Sequence, residues 1–231
     1  MSNPTPRSET REPQYQCCID LQKKQGLTSL GLMSNYMWHN DPRHLAFLAS
    51  RYKFAAKMLS GCRHVLEVGC ADAFGTRIVQ QEVGRVTATD FDAVFVEDVK
   101  RRMEERWRFD VFVHDMVEKP FAGEFDGAYA MDVIEHISPS IEDRFVGNVA
   151  ASLEPHGVLI LGCPSIQSQV YASAASKAGH VNCKDGPGLK ELLRRHFHNA
   201  FVFSMNDEVV HTGYYPMAQY LMGLACGKIA Q

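Results

Sequence analysis

The sequence lacks the features of a membrane protein and of a protein that binds nucleic acid through bulk charge. Its apolar runs are too short for a membrane-spanning helix, and the opening MSNPTPRSETREPQ shows no secretory signal. The net charge is −3 at pH 7, so the chain has no overall attraction to phosphate backbones or anionic lipids. We therefore expect a cytoplasmic protein without a transmembrane segment, and nucleic acid is not favoured as a partner.

CxxC pairs of cysteines, which are typical of zinc sites and redox motifs, are also absent. The seven cysteines form no CxxC pair, and Cys70 and Cys163 lie within apolar runs that read as strands. This usage is typical of buried thiols in a reducing compartment. The sequence therefore predicts neither a disulfide framework nor a zinc site made of cysteines.

The chain is long enough for one sizeable α/β domain. It has 231 residues, of which 45% are apolar. Residues 1–16 are polar and show no period, which predicts a flexible tail. Residues 17–60 are interpreted as an N-terminal helical cover, and within them Pro42 begins an amphipathic pattern that ends before Gly61. The main domain is expected over residues 61–231.

Short apolar runs alternate with helical segments through the main domain. HVLEVG, RVTATD, FDVFVHD, FDGAYAMD, GVLILGCP and NAFVFSMND are predicted strands, and most are separated by amphipathic helices. This alternation is typical of βαβ units around a parallel sheet with both faces covered.

The C-terminal stretch YYPMAQYLMGLACGKIA is predicted to be an apolar helix that follows Pro216. Met217, Tyr220 and Leu224 recur at helical spacing, with Leu221 beside them. A core helix is the favoured interpretation. The alternatives are that it lines an apolar substrate pocket, anchors the protein at an interface or forms a homodimer contact.

The stretch VLEVGCADAFGT predicts a buried strand followed by a tight turn. Gly69, Ala71, Ala73 and Gly75 keep the turn nearly free of side chains, so that a ligand can approach the backbone. In open parallel sheets, ligands bind beyond the carboxyl ends of the strands. We therefore expect the binding site at this turn.

Acidic residues recur at the same end of the predicted strands. Glu67 stands just before the turn, and the next three strands end in Asp90, Asp115 and Asp132. Together these four would form an anionic rim. Such a rim would repel the pyrophosphate of NAD and suits a cationic ligand without phosphate.

These motifs resemble those of the class I S-adenosylmethionine-dependent methyltransferases. VLEVGCADAFG, TATDFD, VHDM, FDGAYAMDVIEHI and SLEPHGVLILGCPS are similar to five successive motifs of that family, and together they span residues 59–165. The resemblance implies a Rossmann-like, doubly wound, seven-stranded mixed sheet, mostly parallel with one antiparallel strand near the edge. NAFVFSMN and EVVHTG would be its last strands, as an antiparallel pair.

The sequence departs from the family's pattern at three positions. Ala71 and Ala73 stand where the family usually has glycine, and His156 stands where a glycine would follow the proline. Alanine is tolerated in the turn if its φ stays negative.

The resemblance also implies S-adenosylmethionine as the cofactor. Asp90 would accept hydrogen bonds from ribose hydroxyls, and Asp115 one from the adenine amine. Arg51, on the helical cover, would pair with the methionine carboxylate; the alternative is a surface arginine. The full set of expected cofactor-binding residues is Arg51, Glu67, Gly69, Cys70, Ala71, Asp90, Phe91, Asp115, Met116 and Asp132.

Within the family, MDVIEHI, CPS and KAGHVNC look most like the small-molecule O-methyltransferases of the ubiquinone-pathway type. His136 and His180 are the candidate catalytic bases. A divalent metal held by Asp132, Glu135 and His136 is an alternative that is not favoured. The plainer alternative is that His136 packs at the start of the next helix and Glu135 faces solvent.

The expected function is therefore transfer of a methyl group to an oxygen or nitrogen of a small-molecule substrate. Two other functions remain open. One is a non-catalytic module of the same fold that binds a nucleotide-like ligand or a partner, which the two alanines in the turn would favour. The other is RNA methylation.

Overall fold

A computed structural model of the protein describes residues 9–230 and divides the chain into two compact units, residues 1–30 and 31–231. In the first unit, a 3-10 turn at Pro13–Tyr15 leads into helix α1, Gln16–Gln25, which has no buried residue. Residues 1–8 of the expected flexible tail lie outside the described residues. The boundaries expected for the tail and the helical cover stay predictions.

The second unit contains the sheet and the remaining helices. The helices are α2 (Leu32–Asn40), α3 (Arg43–Met58), α4 (Thr76–Gln80), α5 (Ala93–Arg102), α6 (Glu142–Ser152), α7 (Ala174–Gly179) and α8 (Gly186–Arg194). The strands are β1 (Val65–Val68), β2 (Val86–Asp90), β3 (Asp110–Val113), β4 (Phe125–Met131), β5 (Leu153–Pro164), β6 (Phe197–Asn206), β7 (Val209–His211) and β8 (Tyr220–Lys228). Among residues 9–230, no helix is long and apolar enough to cross a membrane.

The eight strands form a single sheet in the order β3-β2-β1-β4-β5-β8-β6-β7. Strands β1 to β5 pair in parallel, and β8 runs antiparallel to both of its neighbours. Chain order reverses between β1 and β4. In such sheets a crevice opens beyond the carboxyl ends of the two strands at the reversal, and this is where a ligand site is expected.

Alternating residues of the central strands pack on opposite faces of the sheet. Leu66 joins a buried cluster that includes Phe145 of α6 and Leu189 of α8. Val65 joins a second cluster that includes Ala55 of α3. Both faces are therefore covered, as the apolar strands predicted.

The amphipathic helix predicted from Pro42 onwards is confirmed as α3. Pro42 is its N-cap residue, and Ala55 and Leu59 are fully buried against the sheet. Because α3 precedes β1 in the chain and packs on the same face as α4, its N-terminal turns reach the carboxyl end of the sheet.

The predicted C-terminal helix is wrong, because this stretch forms β8 in the interior of the sheet. Tyr220 and Met222 pack on one face of the sheet, whereas Leu221 and Ala225 pack on the other. A continuous apolar run suits a strand that is buried on both faces. The helix expected to make a homodimer contact is therefore not formed by this stretch, and a homodimer stays a prediction.

The sheet has eight strands instead of the expected seven. The predicted antiparallel pairing of NAFVFSMN with EVVHTG is confirmed as β6 and β7, with Ser204 opposite His211. Strand β7 is only three residues long and lies at the edge, and His211 is half-buried there. The mixed, mostly parallel, Rossmann-like architecture is otherwise as predicted.

Candidate active site

A cavity of about 310 Å³ lies at the point where strand order reverses. The turn after β1, the end of β4 and the segments after β5 form its floor and walls, and α2 and α3 cover it. Its lining includes Met33, Met37, His44, Leu48, Arg51, Tyr52, Gly69, Cys70, Ala71, Asp72, Phe74, Gly75, Met131, Asp132, Glu135, His136, Pro164, Ser176 and His180. The sequence-based expectation of a site at this turn therefore coincides with the cavity.

The turn after β1 adopts a left-handed backbone at three alternate residues. The φ angles are 74° at Gly69, 44° at Ala71 and 54° at Ala73. The condition under which the sequence would tolerate alanine here, a negative φ, is not met at either alanine. Each costs roughly 1–2 kcal/mol relative to glycine in this conformation, and the surrounding contacts must offset that cost.

Asp90 supplies one of those contacts. Its carboxylate accepts hydrogen bonds from the backbone N–H of Ala71, at 2.8 Å, and of Asp92, at 2.9 Å. Asp90 is 6% exposed, and burial raises its pKa. The structure thus gives Asp90 the role of fixing the turn, and its expected bond to a ribose stays a prediction.

Glu67 lies beneath the turn and not on the rim that the sequence predicts. It is 1% exposed, and one carboxylate oxygen accepts a 2.6 Å hydrogen bond from Thr76 Oγ1. The other oxygen, Oε1, is buried without a hydrogen-bond partner. Burial raises the pKa of Glu67 to about 7. Its charge at neutral pH is therefore only partial, so it contributes little to an anionic rim.

The other expected cofactor-binding residues are divided between the cavity and the neighbouring strand ends. Gly69, Cys70 and Ala71 line the cavity. Phe91 and Asp115 follow β2 and β3 outside the lining, and Phe91 is 74% exposed. Asp115 accepts a hydrogen bond from the backbone of Val117, and Met116 is buried.

Arg51 and Asp132 form an ion pair that joins α3 to the end of β4. Arg51 Nη1 donates to both carboxylate oxygens of Asp132 at 2.8 Å, and the guanidinium lies 3.9 Å from the ring centroid of Tyr220. Arg51 is 9% exposed, so the surface-arginine alternative is wrong. Its Nε is buried without a partner. Asp132 itself has a φ of 58°.

Glu135, His136 and His180 come together at one end of the cavity. Glu135 and His136 lie in a 3-10 turn, Ile134–His136, and one potential ligand atom from each of the three residues lies within 4.8 Å of the others. The Glu135 backbone carbonyl accepts hydrogen bonds from Val181 and Asn182, which fixes the segment that carries His180. The alternative in which Glu135 faces solvent is wrong, since it is 1% exposed.

Both imidazoles are held through Nδ1. His136 Nδ1 lies 2.9 Å from the carbonyl oxygen of Gly179, and His180 Nδ1 lies 3.0 Å from Gln169 Oε1. Because these oxygens only accept, each Nδ1 carries a hydrogen in the neutral ring, and the lone pair lies on Nε2. His136 therefore contacts Gly179, the last residue of α7, and the plainer alternative, in which it packs at the start of the next helix, stays a prediction.

Burial shifts the pKa of two of these three residues, His180 and Glu135. It lowers the pKa of His180, and the neighbouring His136 adds to the effect. Burial also raises the pKa of Glu135 well above its usual value, and the charge of Asp132 acts in the same direction. The lowered pKa favours the neutral form of the His180 imidazole, which can accept a proton. The trio also provides one carboxylate and two nitrogens, a donor set that divalent transition metals bind.

The metal set considered from the sequence differs from the observed cluster by one residue. Asp132 is engaged by Arg51, and His180 takes its place beside Glu135 and His136. Sequence reasoning also missed His44 and Asp72 in the lining. His44 could have been found, since it lies seven residues before Arg51 and therefore on the same face of α3.

Comparison with known proteins finds a family match for the parallel part of the sheet. Residues 65–157 match the family described as a methyltransferase domain. A protein of Mycolicibacterium smegmatis described as a probable S-adenosylmethionine-dependent methyltransferase is 29% identical over 104 residues, which are 45% of this chain. The match spans 38% of that relative's own length.

Solved structures share the fold at low sequence identity. The N-methyltransferase NodS of Bradyrhizobium japonicum, in complex with S-adenosyl-L-homocysteine, has a TM-score of 0.62 at 14% identity, covering 84% of this chain and 92% of that chain. A Haloferax volcanii methyltransferase complex with the activator Trm112 has a TM-score of 0.64 at 14% identity, covering 86% and 99%. The resemblance and the fold class expected from the sequence are confirmed.

Proposed function

We propose that this chain is an S-adenosylmethionine-dependent methyltransferase that transfers a methyl group to an oxygen or nitrogen of a small molecule. The observation that carries the proposal is the cavity at the strand-order reversal, walled by the turn of the matched methyltransferase segment. The turn keeps the glycine-like path at Ala71 and Ala73. This favours a binding turn over a degenerate, non-catalytic one.

Two groups of residues would form the cofactor site: one on the adenosine side and one on the carboxylate side. The backbone of Gly69, Cys70 and Ala71 approaches the ligand closely, and the acids after β2 and β3 extend the site along the sheet edge toward an adenosine. Arg51 carries a buried Nε without a partner, and it lies at the cavity wall where a carboxylate would gain from a cation.

The cofactor supplies a methyl group already activated by a sulfonium. The protein then has to orient the acceptor and take its proton. His136 and His180 present Nε2 lone pairs, and the lowered pKa keeps His180 neutral at physiological pH. For a hydroxyl acceptor, either ring can receive the proton. For a neutral amine, positioning carries the reaction.

Isothermal titration calorimetry with S-adenosylmethionine tests the cofactor. We expect binding to the folded protein and weakening on Asp90→Ala by about 1–3 kcal/mol, because a charged hydrogen-bond acceptor is lost. Absence of binding at millimolar ligand would overturn the proposal. Asp185→Ala, which removes an N-cap contact of α8 instead, is the matched control.

The acceptor chemistry is tested once a labelled-cofactor screen of cell extract has given a substrate. If an imidazole is the base, His180→Ala lowers turnover on the order of a hundredfold and keeps cofactor affinity. A chelator then has no effect. If Glu135, His136 and His180 hold a metal, activity is lost with a chelator and restored by a divalent ion.

A further inference from the structure

Helix α2 obtains its N-terminal cap from the cofactor-binding turn and not from its own residues. Its N-cap residue is Gly31, which has no side chain to offer. The carboxylate of Asp72 accepts the backbone N–H of Ser34 at 2.6 Å, at the third helical position, where a capping side chain normally bonds. Asp98 of α5 accepts the N–H of Leu32 at 3.4 Å.

The contact between α2 and the turn is close as well as polar. A Cβ atom added at Gly31 would overlap Cβ and Cγ of Asp72. Ser34 is fully buried, and Asp72 is 4% exposed. There is therefore no room for α2 to shift toward the turn while Asp72 keeps this position.

Asp72 also belongs to the most constrained part of the turn. It stands between Ala71 and Ala73, both of which have positive φ angles. Its second carboxylate oxygen accepts the N–H of Phe74 at 3.2 Å, and its carbonyl oxygen accepts a 2.8 Å bond from Arg102. A change in the path of the turn would therefore move the group that caps α2.

Helix α2 covers the cavity. Met33 and Met37 line it from above, and Ala71 and Phe74 line it from the turn. Apart from its cap, α2 has few means of stability, since Ser34 is its only buried residue. A helix of nine residues is marginal without such support.

We infer that Asp72 is a positioning residue that couples cofactor binding to closure of α2 over the active site. A cofactor that occupies the turn holds it in the observed path, which keeps Asp72 under α2 and keeps the cover in place. Cofactor would then bind before the cavity closes around an acceptor. This inference rests on the proposed function, because the ligand of the turn is taken to be the cofactor.

Hydrogen exchange of the full chain, with S-adenosyl-L-homocysteine as the probe, tests this coupling. In the wild type, saturating probe should slow exchange of the α2 amides by about fivefold or more. In Asp72→Ala, the α2 amides should exchange faster without probe, and the added protection should be lost although the probe still binds. Asp185→Ala removes a cap of the same chemistry from α8 and should leave α2 unchanged.

A double-mutant cycle tests the contact between Gly31 and Asp72 by a substitution at the N-terminus of α2. The three atoms nearest to a Cβ at Gly31 all belong to Asp72, so Gly31→Ala should weaken probe binding by about tenfold, or ~1.4 kcal/mol. In an Asp72→Gly background, the overlapping atoms are gone, so Gly31→Ala should have no further effect. Equal weakening in both backgrounds would contradict the coupling.

The outcomes separate this inference from the proposed function. If the probe binds the wild type without protecting α2, the coupling is overturned and the cofactor assignment stands. If the folded wild type does not bind the probe, both are overturned. If Asp72→Ala does not fold, Gly31→Ala alone still decides, because unchanged affinity and unchanged α2 exchange would contradict the inference.

Discussion

Ala71, Ala73 and Asp132 hold φ angles of 44°, 54° and 58° at or beside the cavity. Non-glycine residues adopt this region at a cost, and such residues cluster at functional sites. In this protein, hydrogen bonds to Asp90 and the ion pair with Arg51 hold two of them in place. The strain at these residues therefore marks the same edge of the sheet as the cavity does.

Burial of Glu67 makes the stability of the protein depend on pH. Its pKa in the folded protein is about 7, above its usual value of 4.5, so the folded state binds more protons between these values. Its contribution to stability is therefore present at low pH and is lost as pH rises through about 7. Glu67→Gln keeps the acceptor for Thr76 but cannot ionise.

The free energy of unfolding of Glu67→Gln minus that of wild type should increase by about 2–3 kcal/mol as pH rises from 5 to 8. Urea unfolding at the two pH values measures this. Glu97→Gln, on the exposed side of α5, serves as the control. If the free energies of unfolding of wild type and Glu67→Gln depend on pH in the same way, the pKa of Glu67 is not raised in the folded protein.

The residue types at the site were predictable, but their partners were not. The acids at the strand ends and His136 and His180 follow from motif positions. By contrast, the pairing of Asp132 with Arg51 joins residues 81 positions apart in sequence. Glu67 likewise interacts with Tyr52 of α3 and Tyr129 of β4, which belong to other elements. Neither spacing nor composition reports contacts between distant elements.

At the scale of elements, β8 shows where a local pattern is ambiguous. Short apolar runs fit a buried helix and a buried strand equally well by spacing. The signal that favours a strand is the pair of glycines, Gly223 and Gly227, since each would cost a helix interior about 1 kcal/mol. The strands from β1 to β6 were predictable because they are bounded by turn residues and most of them are separated by helices.

Gly223→Ala distinguishes the two conformations by the sign of its effect. In β8, the new Cβ would overlap Cδ1 of Leu193, a fully buried residue of α8, so we expect a loss of about 1–3 kcal/mol in the free energy of unfolding. In a helix, the same change would stabilise by up to about 1 kcal/mol. Urea unfolding measures it.

Gly147→Ala is the matched control, because Gly147 lies inside helix α6 and the nearest atom to a new Cβ is 3.2 Å away. We expect it to be neutral or stabilising. Stabilisation by Gly223→Ala would contradict the strand assignment.

At the scale of the whole molecule, the Arg51–Asp132 pair connects α3 to the end of β4 in the sheet. Removal of one partner from a largely buried pair leaves an uncompensated charge. We expect Arg51→Met to lower the free energy of unfolding by about 2–4 kcal/mol, and Arg51→Met with Asp132→Asn to recover part of this loss.

Chemical unfolding measures both variants, with Arg63→Met as the control. Arg63 pairs with Glu154 at 2.9 Å, but its side chain is 72% exposed, so its loss should cost much less than the loss of Arg51. If Arg51→Met and Arg63→Met lower the free energy of unfolding equally, the Arg51–Asp132 pair does not stabilise the packing of α3 on the sheet.

The position of β8 has a consequence for how the chain folds during synthesis. β8 follows every other strand of the sheet in sequence, yet it lies between β5 and β6. Until residues 220–228 emerge from the ribosome, β5 and β6 each present an unpaired edge, and such edges recruit other strands. A nascent chain stalled before Tyr220 should therefore need a chaperone to stay free of aggregates, even though the segment that forms the turn and its cavity has already been made.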